Sequence, residues 1–306
     1  MRIKLFIVTL CISLCGVSVQ PAQQPTQPAD NAPKRPMILG IAHVAFQVSD
    51  LNKAREFYGE MLGYDEPFQI RNANGSLALT YFKVNERQYI EIFPGLPPDR
   101  DDRLLHIAFE TNDLEALRVY LLSKGVKAPD KVNTGRDGNI NFTIPDPDGH
   151  GVEFVQYRAG SLHTRAKGRY LSARRISDRI LHTGISVMNQ AATDAFYKDV
   201  LGLSEIWRGG RDDTTLSWIN MRVPDASDYV EYMLTATPPT RQQLGSMHHI
   251  ALLVPDMQKA LETLRERAGN PTLIGAPQVG RNRRWQLNLY DPDGSRTELM
   301  EPFPMR

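Results

Sequence analysis

The sequence predicts an α+β fold built from four copies of one β-α-β-β-β unit, arranged as two domains. Internal repetition is the first observation. HVAFQVSD from His43, HIAFETND from His106, HTGISVMN from His182 and HIALLVPD from His249 open four similar segments. Second, each opening is followed by a helical pattern and three strand-like runs. The last run of each segment carries a glutamate among apolar residues: YIEIF (Glu91), GVEFV (Glu153), YVEYM (Glu231) and RTELM (Glu298). Third, the His-to-Glu separation stays between 47 and 49 residues, so the four units have the same size.

Strand parity assigns faces to these residues, because side chains alternate along a strand. Val44, Phe46 and Val48 share one face, and His43, Ala45 and Gln47 the other. Ile107 and Phe109 oppose His106 and Ala108; Ile185 and Val187 oppose His182 and Gly184; Ile250 and Leu252 oppose His249 and Ala251. Each histidine therefore lies on the small or polar face, while the apolar face is the one that packs on a helix. One such histidine is ordinary sheet-surface polarity. Four at equivalent positions, each with its glutamate, point to ligands, since imidazole nitrogen and carboxylate oxygen are standard donors to borderline divalent ions.

From the N-terminus, Arg2 and Lys4 precede the apolar run Leu5–Val19. This pattern predicts a signal peptide over 1–22 and an exported, periplasmic or secreted protein. The run is too short for a transmembrane helix, so no stable membrane insertion of the mature chain is expected. Both cysteines, Cys11 and Cys15, fall in this segment, which leaves the mature chain no disulfide, thiolate ligand or thiol nucleophile. Residues 23–37 are Pro- and Gln-rich and read as a disordered tether.

The first domain is expected over 38–158, a linker over 159–179 and the second domain over 180–303; 306 residues suit two domains of ordinary size. In the first unit Asp50 caps a helix carrying Ala54, Phe57, Tyr58, Met61 and Leu62, and Gly63 stops it. Phe57 and Tyr58 read as core. Leu77–Val84 and Gln88–Phe93 read as strands. Asp113 caps the helix of the second unit and Gly125 ends it. His150, after the turn DPDG, reads as a surface residue. The third unit echoes the first through Asp194, Phe196, Tyr197, Leu201 and Gly202. Residues 235–245 read as a connector, and His248, of opposite parity to His249, faces elsewhere.

A net charge of +1 gives no global signal for nucleic acid; the partner expected is a small-molecule substrate. The arginine-rich linker, which holds His163, reads as a solvated connection. Arg281, Arg283 and Arg284 could meet an anion, but loop arginines are usually solvated.

These motifs resemble the vicinal oxygen chelate superfamily, which includes glyoxalase I, extradiol dioxygenases, methylmalonyl-CoA epimerase and the fosfomycin and bleomycin resistance proteins. FYGEMLGY (57–64) and FYKDVLGL (196–203) resemble the helix end of first modules, and DPDG at 146–149 and 291–294 the turn before the last strand of second modules. The resemblance spans roughly 38–303. It implies glyoxalase-like domains in which two modules pair into a curved mixed sheet around a divalent metal. The implied ligands are His43, Glu91, His106, Glu153, His182, Glu231, His249 and Glu298. Modules could pair within a domain or across the linker; the eight candidates are the same either way.

The resemblance further implies that the metal polarises two adjacent substrate oxygens and that the second-module glutamates, Glu153 and Glu298, act as general bases. Three function classes compete. A glyoxalase I-like isomerase or lyase fits a four-donor set completed by Glu91 and Glu231. An extradiol Fe(II) dioxygenase fits the four-module length, but needs only two His and one carboxylate. A non-catalytic binding or resistance protein fits export. Zinc, nickel or manganese is expected, with Fe(II) if the dioxygenase class applies. Export also disfavours a glutathione adduct as substrate, since small thiols are scarce in oxidising compartments.

Overall fold

The computed structural model describes residues 32–303. The expected signal peptide, and the tether up to residue 31, lie outside the described residues. The first half of the chain contributes β1 (Ile38–Val48), β2 (Gln69–Arg71), β3 (Leu77–Lys83), β4 (Tyr89–Pro94), β5 (Leu104–Thr111), β6 (Asn133–Thr134), β7 (Ile140–Pro145) and β8 (Gly151–Gln156). They form one curled mixed sheet in the order β2-β3-β4-β1-β5-β8-β7-β6. The second half contributes β9 (Ile180–Val187), β10 (Ser204–Gly209), β11 (Trp218–Arg222), β12 (Tyr229–Leu234), β13 (His249–Leu253), β14 (Gln278–Val279), β15 (Trp285–Tyr290) and β16 (Arg296–Met300). Their order, β10-β11-β12-β9-β13-β16-β15-β14, is the same.

Module pairing, open in the sequence, is decided by the central strands. β1 runs antiparallel to β5, with Ala45 opposite His106 and His43 opposite Ala108. β9 runs antiparallel to β13, with Gly184 opposite His249 and His182 opposite Ala251. Modules therefore pair within each half, and none pairs across the linker.

Val44, Phe46, Ile107 and Phe109 are fully buried or nearly so, as are Ile185, Ile250 and Leu252; the apolar face of each central strand is the core face. Helices cover it. α1 (Leu51–Arg55) starts at Asp50, whose side chain accepts from the amides of Asn52 and Lys53. The chain then widens into a π turn over Glu56–Met61, where the Leu62 amide reaches Phe57 O at 2.9 Å. The third module repeats this: α4 (Gln190–Asp194), capped by Asn189, leads into a π turn over Ala195–Val200 closed by Leu201 N to Phe196 O. The even helical spacing expected for Phe57 and Tyr58 is thus one turn of α followed by one of π. Gly63 ends the first helix at φ +80°, and a Cβ there would come within 2.2 Å of Arg174 O. In the second module Asp113 caps α2 (Leu114–Ser123).

Two regions differ from expectation. The linker is not a plain solvated connection: it forms α3 (Leu162–Arg165), buries His163, and is held by Lys83, whose Nζ donates to Ala166 O and Arg169 O. The connector before His248 forms α5 (Arg241–Met247), started by a reciprocal cap between Thr240 and Gln243, a T-x-x-Q signature legible in the sequence. α6 (Met257–Arg267) lies over the second sheet with Leu261 and Leu264 buried. Among the described residues, no helix is long and apolar enough to cross a membrane.

The two halves exchange contacts through the DPDG turns. Tyr58 donates to Asp291 Oδ2 and Tyr197 to Asp146 Oδ2, both at 3.1 Å. Each turn aspartate thus accepts from the π turn of the opposite half. At one of these junctions the hydrogen bonds extend into a buried chain. Asp146 meets His150 Nδ1, His150 Nε2 meets Ser186 Oγ, Ser186 meets His248 Nε2, and His248 Nδ1 meets Asp102. His150 is buried there rather than on the surface. A single hydroxyl proton cannot serve two imidazole nitrogens, so one ring must donate to Ser186. Burial pushes the His150 pKa down, but the hydrogen bond to Asp146 and the nearby carboxylates outweigh it and raise it.

Removing the Tyr58 hydroxyl strands Asp291 Oδ2, at a cost of about 1–3 kcal/mol, whereas Asp146 Oδ2 keeps His150 Nδ1 when the Tyr197 hydroxyl is lost. Tyr58→Phe should therefore lower the urea midpoint more than Tyr197→Phe; an unchanged midpoint for Tyr58→Phe would show that this bond does not hold the halves together.

Candidate metal centres

The two histidines of each half come from the paired central strands, and the glutamates from the strands flanking them. β4 lies parallel to β1 with Glu91 opposite Ala45, and β8 parallel to β5 with Glu153 opposite Ala108. In the second half Glu231 lies opposite Gly184 and Glu298 opposite Ala251. Small residues at these four positions leave room on the sheet face where the four side chains converge.

In the first centre His43 Nε2 and His106 Nε2 are 3.0 Å apart. Glu91 Oε2 lies 3.3 Å from His43 Nε2 and 3.0 Å from that of His106. Glu153 Oε2 is 3.3 Å from His106 Nε2 and 3.9 Å from His43 Nε2. His43, Glu91 and His106 form the tight group, and Glu153 stands beside it. In the second centre the His182 and His249 Nε2 atoms are again 3.0 Å apart. Glu231 and Glu298 stand 3.5 to 3.9 Å from both, and all four form one group.

This donor set fits a cation. His249 Nδ1 lies 2.9 Å from Met247 O; donation there leaves Nε2 as a bare lone pair. His43 Nδ1 and His182 Nδ1 are buried without a hydrogen-bond partner. Two imidazole nitrogens facing each other at 3.0 Å are satisfied either by a proton between them or by a shared metal. The donors are hard to borderline, N₂O₂, the set zinc and its neighbours accept.

Electrostatics separate the carboxylates of the first centre. Burial pushes Glu91 up, but the charge of His43 and the hydrogen bond and charge of His106 outweigh it and hold Glu91 at about 2. Burial, with the negative charges of Glu91 and Asp137, pushes Glu153 up to about 7 against the pull of His106. Burial lowers His43 to about 3. His106 is lowered by burial but raised more by its hydrogen bond to Glu91 and the charges of Glu153 and Glu91. In the second centre burial and the charge of Glu298 push Glu231 up to about 8, and burial raises Glu298. Burial, then the charge of Arg296, lowers both His182 and His249.

All eight residues named from the sequence fall into these two clusters, four in each. Sequence reasoning missed Arg296, whose Nη2 lies 2.8 and 3.0 Å from the two nitrogens of His249. The signal was available: Arg296 is two residues before Glu298 and shares its face of the strand. It also missed His163, whose ring packs against Tyr81, Tyr89 and Tyr157 beside the first centre. Arg281 lines a cavity at the second centre and pairs with Asp213.

Residues 40–154 and 179–299 each match the Glyoxalase/Bleomycin resistance protein/Dioxygenase superfamily. The chain belongs to this superfamily. Among superfamily relatives it is 26% identical to lactoylglutathione lyase of Schizosaccharomyces pombe over 192 residues, which is 54% of this chain and 60% of the relative. It is 30% identical over 121 residues to the uncharacterized protein YwbC of Bacillus subtilis, covering 38% of this chain and 96% of that protein. The chain thus spans about 60% of the length of the lyase. Among solved structures, a variant of homoprotocatechuate 2,3-dioxygenase from Brevibacterium fuscum superposes with a TM-score of 0.65 at 20% identity, covering 89% of this chain and 74% of that one. That likeness is one of fold.

Without metal the folded chain holds protons that the unfolded chain has released. Glu231, at about 8 against its ordinary 4.5, is the clearest case; raised folded values mean that stability is lost as pH climbs through them. Chelator-treated protein should therefore lose stability between pH 6.5 and 8, and a saturating divalent ion should abolish that loss. Urea midpoints across this window that stay flat or rise without metal would contradict the assignment.

Proposed function

We propose that this protein is a divalent-metal enzyme of the glyoxalase I-like type, an isomerase or lyase that moves a proton on a small carbonyl or vicinal-oxygen compound. The observation that carries this reading is geometric: in the first centre His43, Glu91 and His106 form a tight group, and a second carboxylate, Glu153, stands beside it with Oε2 3.3 Å from His106 Nε2, placed to act as a general base. His43, Glu91 and His106 would hold the metal, with Glu153 able to join them; His182, Glu231, His249 and Glu298 would form the second set. A bound divalent ion would polarise the substrate oxygens and acidify the neighbouring C–H. Glu153 would take that proton on Oε2 and return it to the adjacent carbon. Glu298 is the corresponding base of the second centre.

The four-donor group of the second centre supports this class over ring-cleaving dioxygenation, in which two His and one carboxylate leave more positions open. Zinc, nickel or manganese would suit the proton-transfer reading. The export expected from the sequence belongs to the same proposal and points away from a glutathione adduct.

Metal analysis of the intact protein, purified without chelating resin, tests the reading. Zinc, nickel or manganese should be found, and His106→Ala should lower the content while leaving the fold, followed by circular dichroism, unchanged. Glu153→Gln and Glu298→Gln should keep most of the metal yet reduce turnover of a responsive carbonyl substrate by about 10²–10⁴-fold at the affected centre. Iron with activity on catechol would replace the isomerase by a dioxygenase. Absence of metal after reloading would leave a binding protein.

A further inference from the structure

The two centres match at four ligand positions, yet their surroundings differ. In the first, the residue paired with His106 across β5 and β8 is Gly151. In the second, the residue paired with His249 across β13 and β16 is Arg296. The space is rebalanced on the other side. The first centre sets Ala45 opposite His106, whereas the second sets Gly184 opposite His249, where a Cβ would come within 2.0 Å of the imidazole. The glycine lets the His249 ring lie back over β9, and Arg296 fills the other side.

Arg296 has no structural partner to explain it. Among the described residues no carboxylate lies within ion-pairing distance of its guanidinium, and its Nε is buried without a hydrogen-bond partner. Its Nη2 meets only the ring of His249, close to both nitrogens at once, and so cannot lie along either lone pair. A guanidinium half-buried without an acceptor is costly. It also opens onto a cavity of about 300 Å³ that contains Glu231 and Glu298 and is walled by Trp207, Trp218 and Arg281. The charge count says what that cavity lacks. A divalent ion there would be balanced by Glu231 and Glu298, and Arg281 pairs with Asp213, so Arg296 is the cation of the cavity lining left without a carboxylate.

The first centre has no such cation at the equivalent position. Tyr81 and Phe93 pack against its histidines, and the linker helix α3 brings His163 against Tyr81. The cation at this strand position is a property of the second centre.

We propose that Arg296 is the anion-binding residue of the second centre, and that this centre takes a small carboxylate with a neighbouring hydroxyl or keto oxygen and an apolar body. The carboxylate would accept from Arg296 while its neighbouring oxygen faces the ligand set, and the tryptophans would cover the apolar body. This deepens the metal reading given above and rests on it.

Mandelate and 1-phenyl-1,2-ethanediol form a matched pair of probes: both carry vicinal oxygens on a phenyl-bearing carbon, and only mandelate is charged. The full chain is loaded with cobalt(II), its metal content measured, and each probe titrated by calorimetry. Mandelate should bind at least about tenfold more tightly than the diol, the scale of a charge-assisted hydrogen bond. Arg296→Gln should remove that preference with cobalt retained, and Arg296→Lys should keep much of it. His249→Ala should abolish mandelate binding, whereas His106→Ala should spare it. Equal binding of the two probes, a preference that survives Arg296→Gln, or mandelate binding lost with His106→Ala instead, would each overturn the assignment while leaving the metal reading intact. Failure of the protein to bind cobalt would overturn the metal reading and this assignment with it.

Discussion

The structure depends on the antiparallel pairing of the two central strands in each half. A single module carries one histidine and one glutamate, too few donors for a metal centre. When β1 pairs with β5, and β9 with β13, the imidazoles of neighbouring modules are brought 3.0 Å apart. The parallel strands β4, β8, β12 and β16 then place a carboxylate beside each. The register is strict because a slip of one residue would turn every ligand into the apolar core and every core residue outward. Burial of Val44, Phe46, Ile107 and Phe109 on one face therefore fixes the chemistry of the other.

That arrangement sets up an electrostatic conflict within each centre. Four titratable side chains are removed from water with few partners beyond one another. The first centre resolves it by pulling Glu91 down to about 2 and pushing Glu153 to about 7. The second, whose carboxylates lie farther from the histidines, raises both of them and suppresses protonation of His182 and His249. Equivalent ligands thus sit in unequal fields. Burial raises the second pair of carboxylates against the pull of Arg296, and burial together with Arg296 lowers both histidines; the first half has glycine at that strand position.

The halves are joined by a reciprocal exchange. Each π turn sends a tyrosine hydroxyl to the turn aspartate of the other half, so the FY and DPDG motifs act together across the chain. One junction adds the buried chain from Asp146 through Ser186 to Asp102. The equivalent positions at the other junction, Gln47, Leu105 and Ser295, cannot form it. The frame is repeated, and its two junctions differ.

The sequence by itself determined the repeated unit, the face on which each histidine lies, and the eight residues that gather in the two clusters. These follow from local rules: strand periodicity, capping by Asp50 and Asp113, and glycine where φ must be positive. The tertiary structure alone decided which modules pair, because both pairings bury the same apolar faces and differ only in contacts distant along the chain. It also decided that His150 and His163 are buried, since a polar residue after a turn or in a basic linker carries no local sign of what will pack over it. Arg296 lies between these cases. Its strand parity was legible beside Glu298, but its lack of a partner is visible only once every carboxylate around it has been placed.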